Sequence, residues 1–258
     1  MKIMVIGDIV GNTGRLVIKK LLPQLLRKHS IDMVIANGEN AAGGNGITKE
    51  VADELFNNHI DVITMGNHVW DKREIIKFID SQPNIVRPAN YPPGTPGKGY
   101  TIYKLKDLKV GIINLSGVIF LPPLIPPFLV IDKLIEELKN QCQVIIVDFH
   151  AEATSEKIAM GWYLDGKVTA VLGTHTHVQT ADERILPQGT AYITDLGMTG
   201  PRDSVLGVKK EIAINKFLTQ MPVKFETADG TGQLNGVILT INQDNKMVTS
   251  IIRIQEFL

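Results

Sequence analysis

Cysteine is almost missing from this sequence: Cys142 is the only one among 258 residues. An internal disulfide is therefore excluded, and so is any zinc module built from cysteines. Net charge is missing too. Lys and Arg number 27, as do Asp and Glu, which argues against the broadly basic surface that binds extended nucleic acid. A small anionic substrate is not excluded, because one pocket needs only local charge. No apolar run suits a membrane span: Gly111 to Val130, the most apolar stretch, is broken by Asn114, Ser116 and four prolines. The segment Met1–Asp8 turns polar too early for a signal peptide. These absences point to a soluble, cytoplasmic globular protein, read as one domain over 1–258. Whether it forms a homo-oligomer is left open.

Several motifs of chemistry are also lacking. Gly7, Gly11 and Gly14 do not have G-x-G-x-x-G spacing, and Asp8 would crowd a pyrophosphate there. There is no G-x-x-x-x-G-K-[ST] phosphate loop. Ser116 lies in Leu-Ser-Gly-Val, not in a G-x-S-x-G nucleophile turn. Cys142, between a helix and an apolar strand, reads as a buried inert thiol.

What is present is alternation. Short apolar runs at Lys2–Ile6, Met33–Ala36, Val62–Met65, Val110–Asn114, Val144–Phe149, Val168–Leu172 and Ala191–Thr194 read as strands. Helical spacing appears over Arg15–His29 with Pro23 as a kink, Lys49–Asn57 with Thr48 as N-cap, Lys72–Asp80 and Ile131–Asn140. Strands alternating with helices indicate parallel βαβ units covered by helices. The end differs: Val223–Thr227, Gly236–Asn242 and Met247–Ile254 are β-like, with a hairpin turn at Gln243–Lys246. A second, more antiparallel sheet is expected there. The Pro-rich segment Ile119–Leu129 reads either as an interface or as internal packing.

The six histidines are the informative residues. Five apolar runs end in polar groups able to hold a metal or move a proton: Asp8; Glu39-Asn40; Asn67-His68; His150; and His175-Thr176-His177. In an open sheet, ligands bind beyond the carboxyl ends of the strands, so five strands in one sheet would bring these side chains together. Singly, each cluster reads as capping, turn chemistry or a core histidine. Their recurrence at five strand ends is what carries weight. His-x-His puts both imidazoles on one side of an extended segment, able to address two neighbouring ions. Mixed oxygen and nitrogen donors suit Mn, Fe or Zn better than Ca or Mg. With only Asp8 and Glu39 anionic, two divalent ions would leave a positive site, attractive to phosphate. His29, at a Lys-rich helix end where a cation is favoured, and His59, in a connection, read as ordinary residues.

Asp8, Glu39, Gly66-Asn67-His68, His150 and Gly173-x-His175-x-His177 resemble, in order, the signature of the calcineurin-like metallophosphoesterases. Val10 stands where the first motif usually has His, Glu39 where an Asp is usual, and Thr174 separates Gly173 from His175. These departures resemble the YmdB-like branch. The likeness is densest in Gly38–Gly44, Asp148–Lys157 and Gly173–Gly200.

The resemblance implies an α/β fold: a four-layer α-ββ-α sandwich of two mixed β-sheets flanked by helices. It implies a dinuclear centre of Fe or Mn, with Zn as a further candidate. Asp8, Glu39, Asn40 and His177 would hold one ion; Asn67, His150 and His175, with Glu39 bridging, would hold the other. His68 would protonate the leaving oxygen while a metal-bridging hydroxide attacks phosphorus, and an imidazole pKa of about 6.5 suits that task. The implied activity is a phosphodiesterase acting on a small substrate, a 2′,3′-cyclic nucleotide such as 2′,3′-cAMP. The rivals are a phosphomonoesterase or nuclease on the same centre, or a metal-dependent regulatory binding protein with little turnover. The loop Gly197–Gly207, with Arg202, is a candidate substrate contact.

Overall fold

The computed structural model describes residues 1–258. In chain order the elements are β1 (Lys2–Ile6), β2 (Asp8–Ile9), α1 (Gly11–His29), β3 (Met33–Asn37), α2 (Lys49–Asn57), β4 (Val62–Thr64) and β5 (Ile85–Val86). Then come β6 (Tyr100–Leu105), β7 (Leu108–Ser116), α3 (Pro127–Leu138), β8 (Val144–His150), α4 (Thr154–Tyr163) and β9 (Ala170–Thr174). The chain closes with β10 (Arg184–Ile185), β11 (Ala191–Ile193), β12 (Met198–Pro201), α5 (Lys210–Thr219), β13 (Gly232–Ile241) and β14 (Val248–Phe257).

Two mixed sheets result. The first runs β2-β12-β13-β1-β3-β4-β5, with β14 also paired to β13; the second runs β10-β11-β9-β8-β7-β6. The strands β1, β3, β4 and β5 are parallel to one another, as are β7, β8, β9 and β11.

Strand alternation explains the layers. In β1, Ile3 and Val5 enter the core between the sheets, where they join Met33, Ile35, Ile112, Ile146 and Leu172. Met4 and Ile6 point the other way, against Ile18 and Leu22 of α1 and Leu55 of α2. On the far side, Ile113, Val147 and Phe149 pack on Ile131 and Ile135 of α3 and Met160 of α4. Central strands buried on both faces must be apolar on both, which is why they read as continuous runs. Helix, sheet, sheet and helix therefore stack in four layers, as the resemblance implies.

Four expectations are corrected. The C-terminal strands do not build a second sheet; β13 pairs antiparallel to β1 from Lys2↔Thr240 to Ile6↔Gly236, extending the first. Apolar Val237 and Leu239 give β13 the same two-faced burial as β1. The segment Lys72–Asp80 is not one helix but two 3₁₀ turns, Arg73–Lys77 and Ile79–Ser81, parted by Phe78 at φ −131°. Of Val223–Thr227, only Thr227 makes a bridge, to Val208. His29 does not sit as a favoured cation, since burial, Lys28 and Lys2 all lower its pKa. Thr48 does cap α2, accepting from the Val51 amide at 3.2 Å. Cys142 is buried, as expected. No helix is long and apolar enough to cross a membrane.

Candidate metal centre

The five strand ends meet, but on the seam between two sheets rather than along one. Asp8 after β1, Glu39-Asn40 after β3 and Asn67-His68 after β4 come from the first sheet. His150 closes β8, and His175 and His177 follow β9, in the second. Cross-sheet contacts join them. His150 Nε2 lies 3.1 Å from Glu39 Oε1 and 3.0 Å from Asn67 Oδ1. The His175 amide donates to Asp8 Oδ2 at 3.2 Å. Asn40 Nδ2 is 3.1 Å from His177 Nε2 and 3.2 Å from Glu39 Oε1. All seven candidate ligands are thus brought together.

Their packing leaves no room for a side chain at position 66: a Cβ on Gly66 would land on Glu39 Oε2 and His150 Nε2. Gly7 is similarly required, since its Cβ position is filled by the Gly197 carbonyl oxygen.

The residues fit a cation. Asp8 is fully buried, and its Oδ1 has no hydrogen-bond partner. An orphaned buried carboxylate oxygen costs free energy unless a positive charge answers it. His150 Nε2 and His175 Nδ1 face each other at 3.0 Å, and donor atoms of Glu39, His150 and His175 lie within 4.8 Å of one another. Burial pushes the Asp8 carboxyl up to about 6. Burial also raises Glu39, but His150 outweighs it and holds that carboxyl down at about 2. Burial lowers His150, yet Glu39 and Asp8 lift it to about 9, while burial and His150 drive His175 down to about 3.

A second ring of contacts fixes which nitrogen of each imidazole faces inward. His150 Nδ1 meets Thr174 Oγ1 at 2.9 Å, and that hydroxyl donates to Asp148 Oδ1 at 2.7 Å. The hydroxyl proton being spent on Asp148, Nδ1 must be the donor, which makes Nε2 the nitrogen that turns a lone pair to a cation once its own proton is lost. His177 Nδ1 donates to the Leu206 carbonyl at 3.0 Å, again freeing Nε2. His175 is reversed: Nε2 meets Glu152 Oε2 at 2.9 Å, so Nδ1 is the inward nitrogen. Imidazole ligands commonly have this outer partner, which sets tautomer and orientation.

His175 faces His150 and His177 faces Asn40, but not from an extended segment. Their φ values are 102° and 65°, in the left-handed region. The strand ends at Thr174, and the turn aims the two rings at different partners. His68 stands at the rim, its Nδ1 held 2.8 Å from Asp71 Oδ2, which leaves Nε2 free. With Glu39, Asn40, His175 and His177 it lines a cavity of about 480 Å³. Arg202 is not in that cavity; its guanidinium stacks on Phe257, 4.2 Å from the ring centroid. Leu206 and Gly207 of the same loop do line it.

Sequence reasoning gave no role to Asp148, Thr174, Glu152, Asp71, Lys157 or Asp195. Asp148 had a signal, an acid inside an apolar strand. The others look like ordinary loop or helix residues.

A family profile described as YmdB-like protein matches residues 4–254. The chain belongs to the YmdB-like family. It is 54% identical over 254 residues to the 2′,3′-cyclic-nucleotide 2′-phosphodiesterase of Bacillus subtilis (strain 168), covering 98% of this chain and 96% of that one. A crystal structure of a phosphatase from Mycoplasma pneumoniae superposes with a TM-score of 0.94 at 38% identity, covering 100% of this chain and 93% of the other. A candidate 5′-nucleotidase from Staphylococcus aureus shares the fold at a TM-score of 0.61 and 15% identity, with 98% of this chain and 54% of that one covered. The fold is therefore of the metallophosphoesterase type.

Proposed function

We propose that this YmdB-like protein is a divalent-metal-dependent phosphodiesterase that hydrolyses 2′,3′-cyclic nucleotides, such as 2′,3′-cAMP, at the 2′ bond. The observation that carries the reading is the seam itself: seven mixed oxygen and nitrogen donors converge from two sheets, with one further histidine at the mouth of a nucleotide-sized cavity. The relative from Bacillus subtilis supplies the substrate class.

Asp8, Asn40 and His177 would hold one ion, and Asn67, His150 and His175 the other. Glu39 would bridge, and its geometry supports this: Oε1 faces both Asn40 and His150, while Oε2 is tied to the His68 amide at 3.0 Å. The mixed donors suit iron or manganese. When bound, such ions supply Lewis acidity at the phosphoryl oxygens and make a nucleophile of water near neutral pH.

The chain's own residues supply the rest. Asp148, Thr174, Glu152 and Leu206 fix the imidazole tautomers. His68 Nε2, with Asp71 behind it, gives its proton to the leaving 2′ oxygen, so the ring opens to a 3′-monophosphate. Residues 1–258 act as one domain in this reading. A cytoplasmic location accords with the buried free thiol and a nucleotide substrate.

Protein loaded with Mn²⁺ or Fe²⁺ under reducing conditions should hydrolyse 2′,3′-cAMP faster than a linear dinucleotide or a terminal phosphate ester. Preference for a terminal ester would favour a phosphomonoesterase. Tight binding of 2′,3′-cAMP without product would favour the regulatory reading.

A further inference from the structure

Around the candidate metal centre, the cavity has a composition unusual for a nucleotide site. None of its lining residues is Lys or Arg. Beyond the candidate ligands and His68, its side chains are apolar at Val10, Leu206, Val208 and Phe225, acidic at Glu152 and Glu226, and neutral elsewhere. Phe225 is 56% exposed, although it is a large apolar side chain.

The cations near this wall are already engaged or lie outside it. Lys209 Nζ is 2.7 Å from Glu226 Oε2. Lys72 has only the neutral Asn45 Oδ1 as partner, at 3.4 Å, and is not among the lining residues. Lys224, which also bears on Glu226, is not among the lining residues. Arg15 is paired with Glu54 at 2.8 Å.

Asp8, Glu39 and one reacting phosphate would draw on the charge of two bound divalent ions. A further phosphate, carrying about −1.5 to −2 at neutral pH, would have to find its own counter-charge in the cavity, and the lining offers none. Phe225 instead presents a flat apolar face, which a nucleobase can stack on whatever its identity.

We infer that the cavity takes a substrate with a single phosphate on an uncharged nucleoside body, and turns away nucleotides that carry a second phosphate at the 5′ position, oligonucleotide ends included. This rests on the phosphodiesterase reading for the reacting phosphate, but it can be tested apart from turnover.

The first measurement is binding. Calorimetry on the Mn²⁺-loaded protein would compare adenosine 3′-monophosphate with adenosine 3′,5′-bisphosphate. The bisphosphate is expected to bind at least about tenfold more weakly. Glu226→Lys, which adds a cation to the wall, should shrink that ratio. Phe225→Ala should weaken both ligands by a similar factor, because both carry the base.

The second measurement is turnover of 2′,3′-cAMP against its 5′-phosphorylated form. The phosphorylated substrate should lose about tenfold or more in kcat/KM, mostly through KM. Equal or tighter binding of the bisphosphate would overturn the inference while leaving the phosphodiesterase reading intact. Absence of turnover on either substrate would sink that reading, while the binding ratio would still decide the inference.

Discussion

The Lys157 ammonium lies 2.6 Å from Asp195 Oδ2, with both side chains 1% exposed. The pair is not isolated. The same Asp195 oxygen accepts from the Thr176 amide at 3.1 Å and its hydroxyl at 2.7 Å, and Oδ1 accepts from the Gly197 amide at 2.8 Å. Thr176 separates His175 and His177, whose left-handed backbones non-glycine residues rarely adopt. Such strain persists only where surrounding contacts impose it. Here a buried ion pair from α4 and the loop after β11 does so.

Removing one partner of a buried pair leaves an uncompensated charge. Lys157→Met is therefore expected to cost about 3–5 kcal/mol of stability, read by denaturant unfolding. A double variant, Lys157→Met with Asp195→Leu, should recover much of that loss, since apolar replacements often match a buried pair. Mn²⁺ affinity should not recover with it, because Thr176 loses its acceptor. Normal metal binding in the double variant would refute the positioning role.

Much of this was legible in the sequence, and the illegible part has a physical cause. Central strands such as β1 and β8 are buried on both faces, so their apolar runs stand out without tertiary information. The polar residues ending them stand out for the same reason. Which strands share a sheet does not show in local pattern. Glu39 and His150 come from different sheets, and only long-range packing puts them 3.1 Å apart. Lys157 is concealed differently: in an amphipathic helix it looks like a solvated charge, and its partner is 38 residues away. Likewise Phe78 interrupts a helical pattern through its backbone angles, which spacing cannot report.

Thr174 is the next test. Its hydroxyl passes a hydrogen bond from His150 Nδ1 to Asp148, whose other oxygen is engaged by Thr64 and Asn37. Thr174→Val keeps the volume and removes the relay. His150 would then lose the contact that selects its tautomer. Metal affinity should fall about 10–100-fold, measured by competition with a chelating dye, with only a small change in folded structure. An unaltered affinity would show that the relay does not control the ligand.

His68 separates chemistry from metal binding. In His68→Ala the seven candidate ligands are untouched, so bound metal should remain at its wild-type level by elemental analysis. Turnover of 2′,3′-cAMP should fall by about 10²–10⁴. Asp71→Ala removes only the orienting carboxylate and should cost less. Full activity in His68→Ala would remove its role as proton donor. Loss of metal instead would make it a ligand.

Asp8 links the centre to stability. Its carboxyl is buried with one unpartnered oxygen and titrates at about 6 in the metal-free fold, against an ordinary 3.8. A carboxyl whose pKa is raised on folding weakens the fold as pH climbs from the unfolded to the folded value, because the folded state binds more protons there. In metal-free protein, Asp8→Asn should therefore be more stable than wild type by on the order of 1–3 kcal/mol above pH 6. The advantage should shrink below pH 6 and vanish below about pH 4, where both states of the wild type are protonated. With Mn²⁺ present the order should reverse, since the wild type gains binding free energy that the variant lacks. Thermal unfolding of both proteins at pH 4 and pH 7.5, with and without Mn²⁺, measures all four cases. A variant no more stable than wild type at pH 7.5 without metal would mean that the orphaned carboxylate imposes no cost, removing the main structural reason to place a cation beside it.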